Sequence, residues 1–273
     1  MKTYPKSNLH THTAFCDGKD TPREIVLAAI DGGMESVGFS GHSYTAFDES
    51  FAMSYEGDAL YYEEIRALQR EFDGKIKILL GLEQDAFSEP VTREYDFLIH
   101  SVHYVRADGE YHSVDESRPL VEQLVREHFG GDYYRFASDY YRTLADLVKQ
   151  NPNTVIGHFD LVTKFNEDGV LFDESDPRYL APAMEALDAL LEQDVIFEIN
   201  TGAIARGYRR MPYPASIFLH RIAQKRGRVT FSSDAHAKEN LMFGFDQALH
   251  LARAGGLGSI TLYTKNGWQD FPL

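Results

Sequence analysis

Cysteine is almost missing from this chain of 273 residues, since only Cys16 is present and no disulfide can form within the chain. The first residues lack the apolar stretch of a secretory signal. No run of about 18 apolar residues occurs, so no membrane span is expected. These absences predict a protein of the reducing cytoplasm that does not bind membranes through a hydrophobic segment.

Basic residues are also scarce: 27 lysines and arginines stand against 42 aspartates and glutamates, for a formal charge of -15. An acidic surface repels polyanions, so the composition argues against partners such as nucleic acid or anionic membranes. A small phosphorylated metabolite remains a suitable partner, because bound metal ions can dominate the charge of a local site. The composition does not indicate an oligomeric state.

Short apolar segments alternate with longer amphipathic ones, a pattern typical of β/α units. No linker rich in Gly, Ser or Pro divides the chain, so one domain over residues 1–273 is predicted. Strands are expected near residues 7–11, 36–40, 76–82, 96–102, 154–157, 195–200 and 229–233, with a candidate eighth at 259–263. Helices are expected from Thr21, which begins a capping box, to Gly32-Gly33, and over about 133–150 and 177–193. Residues 104–132 are predicted to form an irregular insertion over one mouth of a barrel.

Histidine and carboxylate residues recur at the carboxyl ends of the predicted strands. In a parallel barrel these ends converge on one face, where active sites are built. The pairs at positions 10/12 and 234/236 share the i, i+2 spacing that sends both side chains to one face of a strand. Imidazole and carboxylate suit zinc, manganese or iron, so a metal centre is predicted. The candidate ligands at strand ends are His10, His12, His42, Glu83, His103, His158, Asp234 and His236.

Several assignments have alternatives. Asp17 follows the first strand and is either a ligand or a turn residue; we favour the ligand. His100 and His103 compete on the fourth strand, where they point to opposite faces, and His103 is chosen because it is nearer the strand end. The remaining histidines are expected on helices or loops as ordinary surface residues: His112, His128, His220 and His250.

Six segments resemble the motifs of the polymerase-and-histidinol-phosphatase (PHP) superfamily, histidinol-phosphatase type. They are LHTHT (9–13), GFSGHS (38–43), GLE (81–83), SVHY (101–104), IGHFDL (156–161) and SDAH (233–236). The resemblance implies a distorted (β/α)7 TIM-like barrel whose active site lies at the carboxyl ends of the strands. It also implies hydrolysis of L-histidinol phosphate to L-histidinol and phosphate, a step of histidine biosynthesis.

The resemblance further implies two or three divalent metals, zinc, manganese or iron. One would bind His10, His12, Glu83 and Asp234; a second would share Glu83 and bind His103 and His158; a third would bind Asp17, His42 and His236. A hydroxide activated by these metals would attack phosphorus. No residue is identified as the proton donor to the leaving group.

A basic loop follows the sixth strand and is expected to hold phosphate, because the planar guanidinium pairs with two oxygens. By the resemblance Arg206 is the first choice, with Arg209 and Arg210 close by. Lys164 is a weaker candidate. The alternative is a solvated basic turn without a ligand.

Other functions remain open from the sequence. The same metal motifs serve hydrolysis of another small phosphate ester, such as a nucleotide or a sugar phosphate. An amidohydrolase that cleaves C–N bonds is less favoured, because no lysine is expected at the end of a middle strand. A non-catalytic metal-binding module is disfavoured, because such a module should have lost ligands and this chain keeps all of them. A nuclease is also disfavoured, because it would need a basic surface to bind its nucleic-acid strand, and the composition is acidic.

The metal prediction can be checked on purified protein. We expect about two to three equivalents of divalent transition metal by elemental analysis, and loss of phosphatase activity after chelation. Undiminished hydrolysis by demetallated protein would contradict the metal-dependent mechanism.

Overall fold

Apolar segments form a parallel sheet of seven strands in the computed structural model, which describes residues 4–147 and 154–273. The strands are β1 (Ser7–Asn8), β2 (Ser36–Phe39), β3 (Lys77–Asp85), β4 (Phe97–Ser101), β5 (Tyr104–Ala107), β6 (Glu110–Ser113), β7 (Thr154–Ile156), β8 (Ile196–Asn200), β9 (Arg228–Ser232), β10 (Ser259–Thr264) and β11 (Gly267–Pro272). The helices are α1 (Pro22–Asp31), α2 (Tyr55–Glu71), α3 (Arg118–His128), α4 (Tyr133–Asp146), α5 (Pro177–Leu191), α6 (Gly202–Ala205), α7 (Ser216–Gln224) and α8 (Phe245–Ala254).

The sheet runs in the order β1-β2-β3-β4-β7-β8-β9. It closes only at its carboxyl end, where Thr11 forms a parallel bridge with Ala235. The amide of His12 donates to the Ala235 carbonyl at 2.9 Å, and the Ala235 amide donates to the His10 carbonyl at 3.1 Å. At the other end the hairpin β10–β11 contacts β1 and β9. The predicted distorted barrel of β/α units is therefore confirmed.

Most predicted elements appear close to their expected positions. Thr21 and Glu24 form the expected capping box at the start of α1. The sequence predicts one helix over residues 133–150; α4 ends at Asp146 with Leu147 as its C-cap, and residues 148–150 lie outside the described residues. The candidate eighth strand exists as β10, but it pairs antiparallel with β11 and does not join the barrel sheet.

The prediction of an irregular insertion at residues 104–132 was wrong. This segment contains the antiparallel hairpin β5–β6 and the helix α3. Val105, Val114 and Val121 are buried in the main apolar core, so the segment has enough apolar surface to order itself against the barrel. It forms part of the wall of the cavity described below.

The barrel interior changes from apolar to polar along the strands. Leu79, Phe97 and Ile99 fill the amino-terminal half together with Leu9 and Val155. Because side chains alternate along a strand, the interior positions nearer the carboxyl end are Glu83 on β3 and Ser101 on β4, and both carry polar groups. The helices pack outside the barrel over two larger apolar clusters. The fold thus directs polar side chains of several strands into one end of the barrel.

No helix within the described ranges is both long enough and apolar enough to cross a membrane.

Gly81 makes room for the ring of Phe97 inside the barrel, because a Cβ added at Gly81 would collide with that ring. We expect Gly81→Ala to lower the free energy of unfolding by about 1–3 kcal/mol, the usual cost of overpacking a core. Chemical denaturation would measure the change. Gly258→Ala is the matched control, because a Cβ there meets nothing within 4 Å. Equal stability of both variants would contradict the assigned packing.

Candidate metal centre

Glu83 on β3 lies at the centre of the histidines and is almost completely buried. Its Oε2 atom is 3.2 Å from His10 Nε2, 3.5 Å from His12 Nε2 and 3.1 Å from His42 Nδ1. Its Oε1 atom is 3.2 Å from His158 Nε2 and 3.5 Å from His103 Nε2. The two oxygens of one carboxylate therefore face two different groups of imidazoles.

Asp234 follows β9 and brings a second carboxylate to the same place. Its Oδ1 is 3.2 Å from His12 Nε2, 3.7 Å from His10 Nε2 and 3.5 Å from His236 Nδ1. Asp234 has a positive φ of 47°, and a Cβ added at Gly202 would clash with its carboxylate. The close approach of β8 and β9 at this point therefore requires glycine at position 202.

Asp17 supplies a third carboxylate from the loop after β1. It is partly exposed, with its Oδ2 3.0 Å from His236 Nε2. Its Oδ1 lies 3.6 Å from His12 Nδ1 and 3.7 Å from His42 Nε2. The loop is held against the barrel by the Lys19 amide, which donates to the His236 carbonyl at 2.9 Å. Asp17 thus faces imidazoles rather than serving only as a turn residue.

Three groups of side chains bring their ligand atoms within 4.8 Å of one another: His12, Asp17, His42 and His236; His10, His12 and Asp234; and His42, Glu83 and His103. Together with His158, which contacts Glu83, they include every predicted ligand. These groups overlap with the sets that the resemblance implies, although His12 and His42 each belong to two groups. Each group has the donor types that bind divalent transition metals.

Whether a cation fits between these side chains can be judged from the hydrogen bonds of the buried ligand atoms. His10 Nε2, His12 Nε2 and Glu83 Oε2 are buried and form no hydrogen bond with described residues. The Glu83 Oε2 atom lies 3.2 Å from His10 Nε2 and 3.5 Å from His12 Nε2 without hydrogen-bond geometry. Leaving such groups unpaired is costly, and native proteins rarely do so. Donors that converge without bonding one another are the arrangement expected of ligands around a shared cation.

The charge states agree with this interpretation. Burial opposes ionisation of Glu83 and Asp234, but neighbouring cationic groups, His10 for Glu83 and Arg206 for Asp234, hold the pKa of both carboxyls well below their usual range. Burial lowers the pKa of His42 to about 3, so its imidazole is neutral. Burial opposes the charged forms of His10 and His103, but neighbouring carboxylates, Glu198 for His10 and Glu83 for His103, raise the pKa of His10 well above its usual value and that of His103 to about 9. Metals bind neutral imidazole and ionised carboxylate, so a bound cation would replace the protons of these two rings.

Glu198 was not identified from the sequence, although it orients a candidate ligand. It lies buried on β8, and its Oε2 is 2.8 Å from His10 Nδ1. The His158 amide and the Asn200 side chain donate to its other oxygen at 2.6 and 2.7 Å. A carboxylate behind a ligating histidine fixes the ring so that its other nitrogen faces the metal. A glutamate inside the apolar strand 195–200 was the available signal.

Two more supporting side chains were missed. Ser101 Oγ donates to Glu83 Oε1 at 2.6 Å. Asp85 accepts the backbone amide of His103 at 2.6 Å, and its Oδ2 is 3.4 Å from the Nδ1 of that histidine. His103, not His100, reaches Glu83; His100 lies on β4 with a buried Nδ1 that has no hydrogen-bond partner among the described residues.

The predicted surface histidines divide into two kinds. His220 and His250 are exposed on α7 and α8. His112 lies on β6 rather than on a helix or loop, and its ring is 4.3 Å from that of half-buried His128. His128 Nδ1 is 2.7 Å from Asp108 Oδ2. These two rings therefore hold the hairpin against α3 and lie outside the three ligand groups.

Arg206 is the basic residue that reaches the candidate ligands. Its guanidinium donates to Asp234 Oδ2 at 2.9 Å and lies 3.0 Å from His236 Nδ1. Lys164 lines the same cavity, where its Nζ is 3.0 Å from Asp115 Oδ2.

The structure does not bring Arg209 or Arg210 into that cavity. Arg209 donates to the Thr163 carbonyl and pairs with Glu167 and Glu174. Arg210 is exposed and pairs with Glu167 and Asp168. Arg209 was predicted to bind phosphate; in the structure it does not line this cavity, and its guanidinium is paired with acidic side chains.

A cavity of about 290 Å³ opens above the candidate ligands. Its inner surface is formed by imidazoles and carboxylates, together with the basic side chains of Arg206 and Lys164. Asp48, Phe51 and Tyr104 also form part of its wall. A cavity of this size suits a small metabolite.

Glu198 provides a test of the centre that does not depend on activity. Replacing Glu198 by Gln removes the charge that orients His10, so we expect metal affinity to fall about 10- to 100-fold. Chelator competition followed by elemental analysis would measure it. Glu185→Gln, on the exposed side of α5, removes the same charge far from the cluster and serves as the control. Unchanged affinity in the Glu198 variant would refute the orienting role.

The family model and the similar proteins found by comparison agree with one another. The chain matches the family model of the PHP domain over residues 8–202. It is similar to a "Probable histidinol-phosphatase" of Deinococcus radiodurans, with 31% identity over 92% of this chain and 94% of that protein. It is also similar to the histidinol-phosphatase of Bacillus subtilis, with 28% identity over 89% of this chain and 98% of that protein.

A solved structure shares the fold. The crystal structure of histidinol phosphate phosphatase from Lactococcus lactis, in complex with zinc, L-histidinol and phosphate, superposes with a TM-score of 0.68 at 21% identity. The match covers 97% of this chain and 98% of that one. Because the family model covers more than half of the sequence, this chain belongs to the PHP domain family.

Proposed function

We propose that this chain is a metal-dependent phosphomonoesterase that hydrolyses L-histidinol phosphate to L-histidinol and inorganic phosphate. The observation that carries the proposal is the convergence of imidazoles on both oxygens of the buried Glu83, at the floor of a cavity bordered by Arg206. The named relatives support the substrate, since two similar proteins are called histidinol-phosphatases and a structural neighbour holds L-histidinol and phosphate.

The proposed metal ligands are those that the sequence singled out: His10, His12, Asp17, His42, Glu83, His103, His158, Asp234 and His236. Two or three divalent ions would share them, with Glu83 as the bridging carboxylate. Zinc, manganese and iron all accept this donor set, and the neighbour from Lactococcus lactis contains zinc. Bound metals would supply a nucleophile by acidifying water and would neutralise charge on the phosphate.

The chain's own cations would position the phosphate. Arg206 presents a guanidinium at the edge of the cluster, in the cavity, where a planar fork can pair with two phosphate oxygens. Lys164, which lines the same cavity, can contribute a second positive charge, although its Nζ is hydrogen-bonded to Asp115 in this structure. Glu198 and Asp85 would keep the ligating rings of His10 and His103 in place.

A panel of phosphate esters tests the proposal directly. With metal-loaded enzyme, we expect kcat/KM for L-histidinol phosphate to exceed that for a nucleoside monophosphate and a sugar phosphate by about tenfold or more, a difference within reach of binding discrimination. A higher value for another ester would assign that ester as the substrate. Absence of phosphate release from every ester would overturn the phosphatase assignment.

A further inference from the structure

One carboxylate in the cavity wall is held rigidly but lies outside the ligand cluster. Asp48, in the loop between β2 and α2, accepts hydrogen bonds on Oδ1 from the Ser50 amide at 3.0 Å and the Ser50 hydroxyl at 2.7 Å. The Tyr104 hydroxyl donates to Oδ2 at 2.7 Å. These bonds fix the orientation of the carboxylate before any ligand arrives. Its remaining lone pairs are free to accept further hydrogen bonds.

Asp48 also lacks a counter-charge. In residues 4–147 and 154–273, no lysine, arginine or histidine nitrogen lies within 4.0 Å of its carboxylate. Other carboxylates of the same cavity are paired: Asp115 with Lys164, and Glu83 and Asp234 with imidazoles. Burial opposes ionisation of Asp48, but the hydrogen bonds from Ser50 and Tyr104 outweigh it and lower its pKa. The wall of the cavity therefore carries a negative charge that no cationic side chain of the described residues neutralises.

Aromatic rings connect this carboxylate to the metal ligands. The Phe51 ring packs edge-on against His42 with centroids 4.8 Å apart. Phe51 also lies 6.0 Å from the ring of Tyr104, whose hydroxyl bonds Asp48. Both rings line the cavity. An ammonium group beside Asp48 would also be favoured by aromatic faces, which attract cations.

The cavity is therefore lined by groups of two kinds. Arg206 and the candidate metal ligands suit phosphate, whereas the wall formed by Asp48, Phe51 and Tyr104 suits a cation. Glu116 is another carboxylate on this wall, but it is exposed and its side chain forms no hydrogen bond among the described residues. A carboxylate that is already oriented loses less conformational entropy on binding, which favours Asp48.

We propose that Asp48 binds the ammonium group of the substrate and thereby selects amino-substituted alkyl phosphates over neutral phosphate esters. This assignment rests on the proposed function, because L-histidinol phosphate carries such an ammonium group next to its phosphate-bearing carbon. Asp48 is then a residue that determines specificity, while the metal ligands and Arg206 act on the phosphate.

The test compares two substrates that differ only in the ammonium group: L-histidinol phosphate and 3-(imidazol-4-yl)propyl phosphate. Wild-type, metal-loaded enzyme is expected to prefer the amine-bearing ester. Asp48→Asn should reduce the ratio of the two kcat/KM values by about 10- to 100-fold, because a charge-assisted hydrogen bond is lost. Glu49→Gln removes a charge from an exposed neighbour on the same loop and should leave the ratio unchanged.

Two further variants test the role of Asp48 if the Asp48→Asn protein folds poorly. Tyr104→Phe removes one bond that orients the carboxylate and should lower the ratio several-fold. Glu116→Gln should lower it less than Asp48→Asn does. Inhibition by inorganic phosphate reports on the groups proposed to bind phosphate, so its inhibition constant checks that these groups are intact.

The outcomes separate this proposal from the proposed function. Wild-type enzyme that hydrolyses both esters equally, or a ratio unchanged by Asp48→Asn and Tyr104→Phe, would overturn the role of Asp48 and leave the phosphatase assignment standing. Wild-type enzyme that hydrolyses neither ester would overturn both.

Discussion

The burial of the Glu83 carboxylate among imidazoles is the interaction on which the rest of the site depends. A buried charge is tolerated only when it is paired and hydrogen-bonded. Here the side chain is 1% exposed, and the histidines that surround it come from four different segments of the chain. These segments are distant in the sequence, so the carboxylate and its histidines meet only when the strands of the sheet assemble.

Around this centre the structure places groups that hold the ligands in position. Glu198 orients His10, Asp85 contacts His103, and Ser101 donates to the central carboxylate. Each comes from a strand other than that of the ligand it supports, so the parallel sheet itself aligns ligand and support. Such preorganisation matters because a ligand that is already oriented needs no rearrangement when metal binds.

The mouth of the barrel adds a second level of selection. Arg206 and Lys164 line the cavity, and so do Asp48 and its aromatic neighbours. The segments that carry these groups are loops and the hairpin β5–β6, not the barrel strands. The strands and their carboxyl ends thus position the candidate metal ligands. The connecting segments carry the side chains that would contact the rest of the substrate.

Local features of the sequence were sufficient to predict the β/α alternation, the PHP motifs and the candidate ligands, because strand periodicity and strand ends can be recognised in short segments. The folded structure was needed to show that Arg206 and not Arg209 reaches the cavity, that Glu198 orients His10, and that residues 104–128 form a hairpin and a helix. These facts depend on contacts between residues distant in the chain. Sequence spacing carries no record of such contacts, since they exist only once the barrel has closed.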